Sequence, residues 1–526
     1  MNRKDSNLLG EEKVLLQNYP AEPGQFMKIL NVEQIRALDQ STIKSEPIAP
    51  LNLMERAALA FVDWYVDRFS DSTPTKIFCG LGNNGGDGMA IARLLLERNY
   101  PVEVHVVRYA PRESDDFMHN HRRLKLVMDK VNYIEFSKDI PALRHNEVLI
   151  DAILGSGLSR PTEGIVKSTI EAINRAPATV VSVDIASGLY ADQPNAPGDV
   201  IIEPDYTVTF QLPKLAFMMP KNGRYVGDWH MVDIRLHKRY IDQAPTPYFF
   251  TLPPEARLLL RKRDRYANKG TFGHALLLAG SYGKIGAAVL AARACLRSGV
   301  GLLTVQVPGC GYTILQTAVP EAMCRPDTHQ HVLTETSEVE GPSPADYSVV
   351  GIGPGIGKSP ETLALLRSLL PTLKKPMVVD ADALNLLAEN RDLLTLLPPN
   401  SILTPHPKEF ERLTQPWDDD YQKLAKLLEF AQAHRVVVVL KGAHSAIATP
   451  NGEIHFNATG NPGLSTGGTG DVLTGVLTAL LAQGYDPVEA AVLGVYGHGL
   501  AGDRVAEQRG GAGMVASDVV EALRWE

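Results

Sequence analysis

A chain of 526 residues is too long for one ordinary domain, so two or three are expected. Its 44% hydrophobic and 21% charged residues fit a globular protein with a sizeable core, and a net charge of -8 argues against nucleic-acid binding through bulk positive charge. No apolar run reaches membrane-spanning length, and Cys79, Cys295, Cys310 and Cys324 form no C-x-x-C pair, which argues against a disulfide framework or zinc site and fits a reducing, cytoplasmic setting.

Residues 1–26 are polar and turn-rich and are expected to be a dispensable tail or a misplaced start. Segments 33–44 and 52–69 read as helices, with Ile35, Leu38 and Ile43 on one face of the first. A strand at Thr75–Cys79 is followed by GLGNNGGDG (80–88), a helix from Met89 and a strand at Val102–Val107, which is the start of a doubly wound α/β layer. The loop is not in the usual G-x-G-x-x-G frame, so a plain dinucleotide fingerprint fits poorly. It offers Asn83, Asn84 and Asp87, whose oxygens suit a hard cation, a ribose or a phosphate-bearing group. A tight turn is the blander reading, but a turn needs two residues and this stretch has nine.

Two more strands end in acids. Asp151 follows Val148–Ile150 and precedes a Gly/Ser loop, and Asp184 follows Val180–Val183 with Ser187 and Gly188 behind it. One acid after a strand is usually a helix cap. Three acids, each with a glycine-rich loop at the carboxyl edge of a parallel sheet, favour a site.

Residues 241–256 contain four prolines and no regular period, and are expected to be a linker. Strands are expected again at 275–279, 302–307, 347–352, 377–380, 401–404 and 436–440, with helices between them. Their ends carry GIGPGIG (351–357), Asp380 and Asp382, His406 between two prolines, and LKGAHS (440–445) with Lys441 placed to meet phosphates. No Walker A motif is present. The stretch Asn461–Gly484, NPGLSTGGTGDVLTGVLTALLAQG, runs from a glycine-rich loop directly into a helix, leaving backbone N–H groups free for an anion. Asp471 at that helix start reads as a general base or as a simple cap.

The motifs NNGGDG, D-A-x-x-G-x-G-x-x-R and V-D-I-x-S-G-L resemble the NAD(P)H-hydrate epimerase domain over about residues 27–240. That resemblance implies substrate contacts from Asn83, Asn84, Gly85, Gly86 and Asp87, from Gly155, Ser156, Gly157, Leu158, Ser159, Arg160 and Pro161, and from Asp184, the candidate acid/base. It also implies a potassium ion on Asn84, Asp151 and Ser187. Ala186 departs from the pattern, where Pro is expected. Residues 257–526 are similar to the ADP-dependent NAD(P)H-hydrate dehydratase of the ribokinase-like superfamily. Here the resemblance implies hydrate contacts from Ala288, Gly355, His406 and Asp471, and ADP contacts from Lys441, Gly442, Ala443, His444, Ser445 and Gly470, with magnesium accompanying the nucleotide. The expected fold class is α/β in two domains: an N-terminal Rossmann-like three-layer α/β/α domain and a C-terminal ribokinase-like α/β domain. The implied function is epimerisation and ADP-driven dehydration of NADH hydrate and NADPH hydrate by a homo-oligomer without nucleic-acid or membrane partners. A ribokinase-like small-molecule or vitamin-precursor kinase fused to a nucleotide-binding or scaffold domain stands as the alternative.

Overall fold

The computed structural model describes residues 26–334 and 340–525. The expected tail lies outside these residues except for Phe26, whose ring meets His455 edge-on with centroids 4.7 Å apart. The chain forms two compact units. One is Lys28–Thr246; the other runs from Pro247 onward and takes in Phe26 and Met27. No helix among the described residues is long and apolar enough to cross a membrane.

After a two-residue strand, β1 (Met27–Lys28), the first unit lays down β2 (Thr75–Cys79), β3 (Val102–Val107), β4 (Asn132–Ile134), β5 (Val148–Ala152), β6 (Thr179–Val183), β7 (Tyr206–Phe210) and β8 (Asp228–Val232). Among the described residues these seven strands of the first unit, β2 to β8, form one parallel sheet in the order β4-β3-β2-β5-β6-β7-β8. The order reverses between β2 and β5. At such a switch the loops leaving two neighbouring strands part and open a crevice. The central strands are buried along their length because helices cover both faces.

The glycine stretch after β2 differs from the expected loop. The helix already begins at Asn83, with Gly82 at its N-cap, and runs to Glu97. The reason is close packing. A Cβ on Gly85 would lie 2.0 Å from the Gly80 carbonyl oxygen, and one on Gly88 would lie 2.7 Å from Ala152 Cβ and Cys79 Sγ. Only glycine lets this helix start come so near the strand ends.

The second unit contains β9 (Tyr248–Thr251), β10 (His274–Leu278), β11 (Leu302–Val307), β12 (Met323–Pro326), β13 (Val349–Ile352), β14 (Val378–Val379), β15 (Ile402–Leu403), β16 (Val437–Leu440), β17 (Ala446–Ala448) and β18 (Ile454–Asn457). Its sheet has the order β1-β9-β18-β17-β16-β15-β14-β13-β10-β11-β12. Neighbours from β12 through β16 are parallel, and β16, β17 and β18 then meander antiparallel. The segment 241–256 is not an unstructured linker: β9 pairs in parallel with β18, and a short helix follows at Pro253–Leu258. Its prolines sit just outside the strand, and Pro247 still accepts a hydrogen bond from Ile454 N through its carbonyl at 2.7 Å.

Two helices, Ile285–Arg297 and Thr469–Ala482, pack closely in this unit. Gly475 permits the approach, since a Cβ there would lie 2.1 Å from the Ala291 carbonyl oxygen. Ala288 is fully buried in the apolar cluster beneath.

Candidate active sites

In the first unit a cavity of about 1110 Å³ opens at the β2/β5 crevice. Asn83, Asn84 and Asp87 line it from the helix after β2, and Gly155 to Pro161 line it from the loop after β5. Asp184 reaches it from the end of β6. Gly85 and Gly86 do not line it. They are buried in the first helical turns, where they permit close packing against the strand ends and Met54.

Asp184 has a left-handed backbone, φ 64°. For a residue with a Cβ this costs free energy, about 1–3 kcal/mol, and such strain gathers at functional positions. The carboxylate is held hard. Oδ1 accepts from Lys214 Nζ at 2.7 Å, from Phe210 N at 3.1 Å and from Thr209 Oγ1 at 3.2 Å. Lys214 is 3% exposed and also donates to Thr209 Oγ1 and the Leu212 carbonyl. Two more acids face the same space. Burial, and then the charges of Asp184, Asp39 and Asp116, push the Asp87 carboxyl well above its usual range. Burial and then the Asp184 charge raise Asp39 to about 6, against the lowering influence of Lys214.

Sequence reasoning missed Asp39 and Lys214. The signals were present: Asp39 follows Ile35 by four residues on the helix face read as apolar, and Lys214 interrupts an apolar run, LPKLAF.

The residues expected to hold potassium cluster behind the crevice. Asp151, 1% exposed, accepts from Ser187 Oγ at 2.5 Å, Ser187 N at 2.8 Å, Ser182 Oγ at 2.9 Å and Ile153 N at 3.3 Å. Asn84 Nδ2 donates to the Leu154 carbonyl, and Ser187 Oγ accepts from Leu154 N at 2.8 Å. Burial raises the Asp151 carboxyl pKa, with these hydrogen bonds opposing it. Among the described residues, four neutral donors surround this buried carboxylate and no cationic side chain pairs with it. Hydroxyl, carboxylate and carbonyl oxygens gathered here, with the Asn84 side chain beside the Leu154 carbonyl, suit a hard cation. Among the described residues no group of three or more His, Cys, Asp or Glu side chains is placed to hold a metal ion.

In the second unit the chemistry gathers at the carboxyl edge of β14 and β16. Asp380, 1% exposed, accepts from Lys441 Nζ at 3.0 Å and Thr474 Oγ1 at 2.7 Å. The next residue, Ala381, is left-handed at φ 48°. Thr474 lies one turn beyond Asp471 on the helix that starts at Thr469, after Gly468 at φ 92°. A Cβ on Gly470 would lie 3.5 Å from Lys441 Nζ and 3.7 Å from Asp380 Oδ2. The helix start, the lysine and the buried acid thus share one small volume. Burial, with the Asp380 charge next, raises Asp471 to about 6; Lys441 opposes them and Asp382 adds to the rise. Asp382 itself accepts from Gly357 N at 2.9 Å and pairs with Lys284 Nζ at 3.2 Å, which fastens the GIGPGIG turn to this edge.

His406 caps the helix Pro407–Leu413. Its Nδ1 accepts from Lys408 N at 3.1 Å and Glu409 N at 3.4 Å, leaving Nε2 3.3 Å from Glu409 Oε1. Burial first and the Lys441 charge second lower its pKa, favouring the neutral ring. Gly355, at φ 64°, accepts at its carbonyl from Ser281 Oγ at 2.7 Å. Gly442 and Ala443 are exposed, with the Ser445 hydroxyl closing their turn.

Two of the expected residues direct their side chains into the protein. The Ala288 side chain is packed in the core. His444 is turned onto the β-meander, with Nδ1 3.0 Å from the Asn457 carbonyl and its ring against Phe250. Asp380 and Thr474 are the additions that sequence reasoning left without a role. The i, i+3 spacing from Asp471 to Thr474 was the available signal.

Comparisons with known proteins agree with this division. A family model described as NAD(P)H-hydrate dehydratase matches residues 275–524, and one described as YjeF-related protein N-terminus matches residues 50–216. The Bifunctional NAD(P)H-hydrate repair enzyme Nnr of Moorella thermoacetica is 34% identical, covering 94% of this chain and 96% of its own. Its namesake in Coxiella burnetii is 34% identical over 93% of this chain and 97% of its own, and that of Escherichia coli is 33% identical over 90% and 88%. Among solved structures, the ADP/ATP-dependent NAD(P)H-hydrate dehydratase from Bacillus subtilis, co-crystallized with ATP/Mg2+, is 30% identical over 51% of this chain and 94% of that one, with a TM-score of 0.44. With two acid-bearing sheet edges in one chain, and relatives this similar along nearly its whole length, the chain belongs to the family of bifunctional NAD(P)H-hydrate repair enzymes.

Proposed function

We propose that this chain repairs hydrated nicotinamide dinucleotides in two steps. The first unit interconverts the R and S epimers of NADH hydrate and NADPH hydrate. The second dehydrates the S epimer at the expense of ADP. One observation carries the reading: two separate acid constellations, each at the carboxyl edge of its own sheet and each within the segment matched by its own family model.

The second step has a plain chemical logic. Hydroxide is a poor leaving group, and phosphorylating the hydroxyl converts it to a good one. Asp471 takes the hydroxyl proton as the oxygen attacks the terminal phosphorus of ADP and AMP departs. The free N–H groups of the helix start and Lys441 face the transferring phosphoryl group. Loss of phosphate with a ring proton then restores the dihydronicotinamide. A carboxyl raised to about 6 is largely ionised at neutral pH, yet more basic than a solvent-exposed aspartate. Magnesium, which would lie chiefly on the nucleotide phosphates, supplies charge neutralisation.

In the first unit a potassium ion would be held by Asn84, Asp151 and Ser187, steadying the loop after β5 that walls the cavity. The four cysteines are all unpaired, which supports a reducing, cytoplasmic setting. A homo-oligomer remains our expectation. The test of the whole reading is NADH recovery from mixed hydrate epimers. With ADP, both epimers should be consumed and AMP and phosphate should accumulate with the NADH. A stable phosphorylated product without NADH would replace the reading by a kinase.

A further inference from the structure

We propose that Asp39 is a second catalytic acid/base of the epimerisation site, working opposite Asp184. The inference rests on the epimerase reading of the first unit and extends it to a residue outside the matched segment, which begins at residue 50.

The helix Val32–Ser45 is set by a reciprocal cap: Asn31 Oδ1 accepts from Gln34 N at 2.8 Å, and Gln34 Oε1 accepts from Asn31 N at 3.0 Å. Leu38 and Thr42 are buried on one side of it. Ile35, Arg36, Asp39 and Ile43 line the cavity, so Asp39 enters from the wall while Asp184 rises from the strand ends. Among the described residues, the hydrogen bonds to the Asp184 carboxylate all end on Oδ1, which leaves Oδ2 for the cavity. The buried Lys214 Nζ pairs with Oδ1 at 2.7 Å and fixes that side of the carboxylate. Among the described residues Asp39 forms no ion pair, and burial and then the Asp184 charge raise its carboxyl against the weaker lowering influence of Lys214. A pair of acids with environments this different is suited to divided acid and base work.

The reaction needs that division. The epimers differ at the hydroxyl-bearing carbon next to the ring nitrogen. Asp39 in its acid form gives its proton to the hydroxyl oxygen. The carbon–oxygen bond breaks, its electron pair leaves with water, and the nitrogen lone pair forms a carbon–nitrogen double bond. The ionised Asp184 faces the resulting cation. Water then adds to the opposite face, the double-bond pair returns to nitrogen, and Asp184 Oδ2 accepts the proton that the incoming water sheds. The reverse epimerisation runs the same path backwards with the two carboxyls exchanging roles, and solvent returns protons between turnovers.

The test uses the full-length chain and purified R-hydrate in water labelled with oxygen-18, with chromatography for epimers and mass spectrometry for the label. The parent should incorporate one labelled oxygen per epimerisation. Asp39→Asn should lower kcat by about 10²–10⁴-fold, the usual worth of a general acid or base. Label incorporation should slow in step, KM should stay within a few-fold, and Asp39→Glu should recover part of kcat. A circular-dichroism spectrum and melting temperature matching the parent identify folded variants. If Asp39→Asn turns over at the parent rate, or raises KM alone, Asp39 is not the acid. Epimerisation without label incorporation overturns the bond-breaking step. Asp184→Asn separates the two ideas. If it is inactive while Asp39→Asn is normal, only the Asp39 proposal falls; if both are normal, the epimerase reading of this cavity falls with it.

Discussion

Asp471 holds its charge where burial and the neighbouring Asp380 both resist it, and Lys441 only partly offsets them. Its folded-state pKa of about 6 lies above the ordinary value of 3.8, so the folded chain binds this proton more tightly than the unfolded one. The resulting stability penalty is absent below pH 3.8, grows through the window up to about 6 and is full above it. Asp471→Asn should therefore raise the melting temperature of the second unit at pH 7.5 by a few degrees and leave it nearly unchanged at pH 4, while abolishing dehydration. Calorimetry at the two pH values checks this, and an equal gain at both would refute it. Dehydration by the parent should decline as pH falls through about 6, where the base is protonated. Asp151 carries the second residue-scale prediction. Asp151→Asn keeps the shape among Ser182, Ser187 and Ile153 but removes the buried charge. Epimerisation by this variant should lose its preference for potassium over tetramethylammonium. An unchanged preference would place the ion elsewhere. Much of this was legible one residue at a time, because Asn83, Asn84, Asp87, Asp151, Asp184 and Asp471 announce themselves at strand or helix ends. Asp39, Lys214 and Asp380 gain their meaning only from partners 30 to 145 residues away, which no local pattern carries.

At the scale of elements, glycine placement is what the sequence pattern conceals most. GLGNNGGDG has the composition of a loop, yet Asn83 to Gly88 are helical, because the helix must pass within contact of the Gly80 carbonyl and Ala152. Gly475 plays the same part in the second unit. By intrinsic propensity alone, Gly475→Ala would stabilise the helix by about 1 kcal/mol. The structure predicts the opposite sign, since the new methyl carbon would lie 2.1 Å from the Ala291 carbonyl oxygen. Forcing the helices apart should cost about 1–3 kcal/mol, seen as a lower melting transition and heat-labile dehydratase activity. A stabilised variant would show that the two helices slide freely. Short strands were the other blind spot. β9 and β17 are four and three residues long, and prolines on both sides of YFFT hide a strand that belongs to the sheet. The long helices and buried parallel strands were legible because their apolar runs have length and period on their side.

At the scale of the molecule, two units that each bury their own core and carry their own acids should fail independently. Asp184→Ala removes the carboxylate that Lys214, Thr209 and Phe210 hold toward the first cavity. Asp471→Ala removes the base at the helix start of the second unit. With mixed hydrate epimers and ADP, Asp184→Ala should show a fast phase of NADH recovery limited to the S fraction, after which R-hydrate persists at its spontaneous epimerisation rate. Asp471→Ala should lose NADH recovery by about 10²–10⁴-fold while epimer exchange continues near the parent rate. Mixing the two variants should restore the full reaction, because S-hydrate formed on one chain diffuses to the other. Chromatography of both epimers over time reads all three outcomes. Failure of the mixture to restore recovery, with each variant folded and active in its remaining step, would mean that the hydrate passes between units of one chain without release. Loss of both reactions from Asp471→Ala alone would end the separation of the two chemistries.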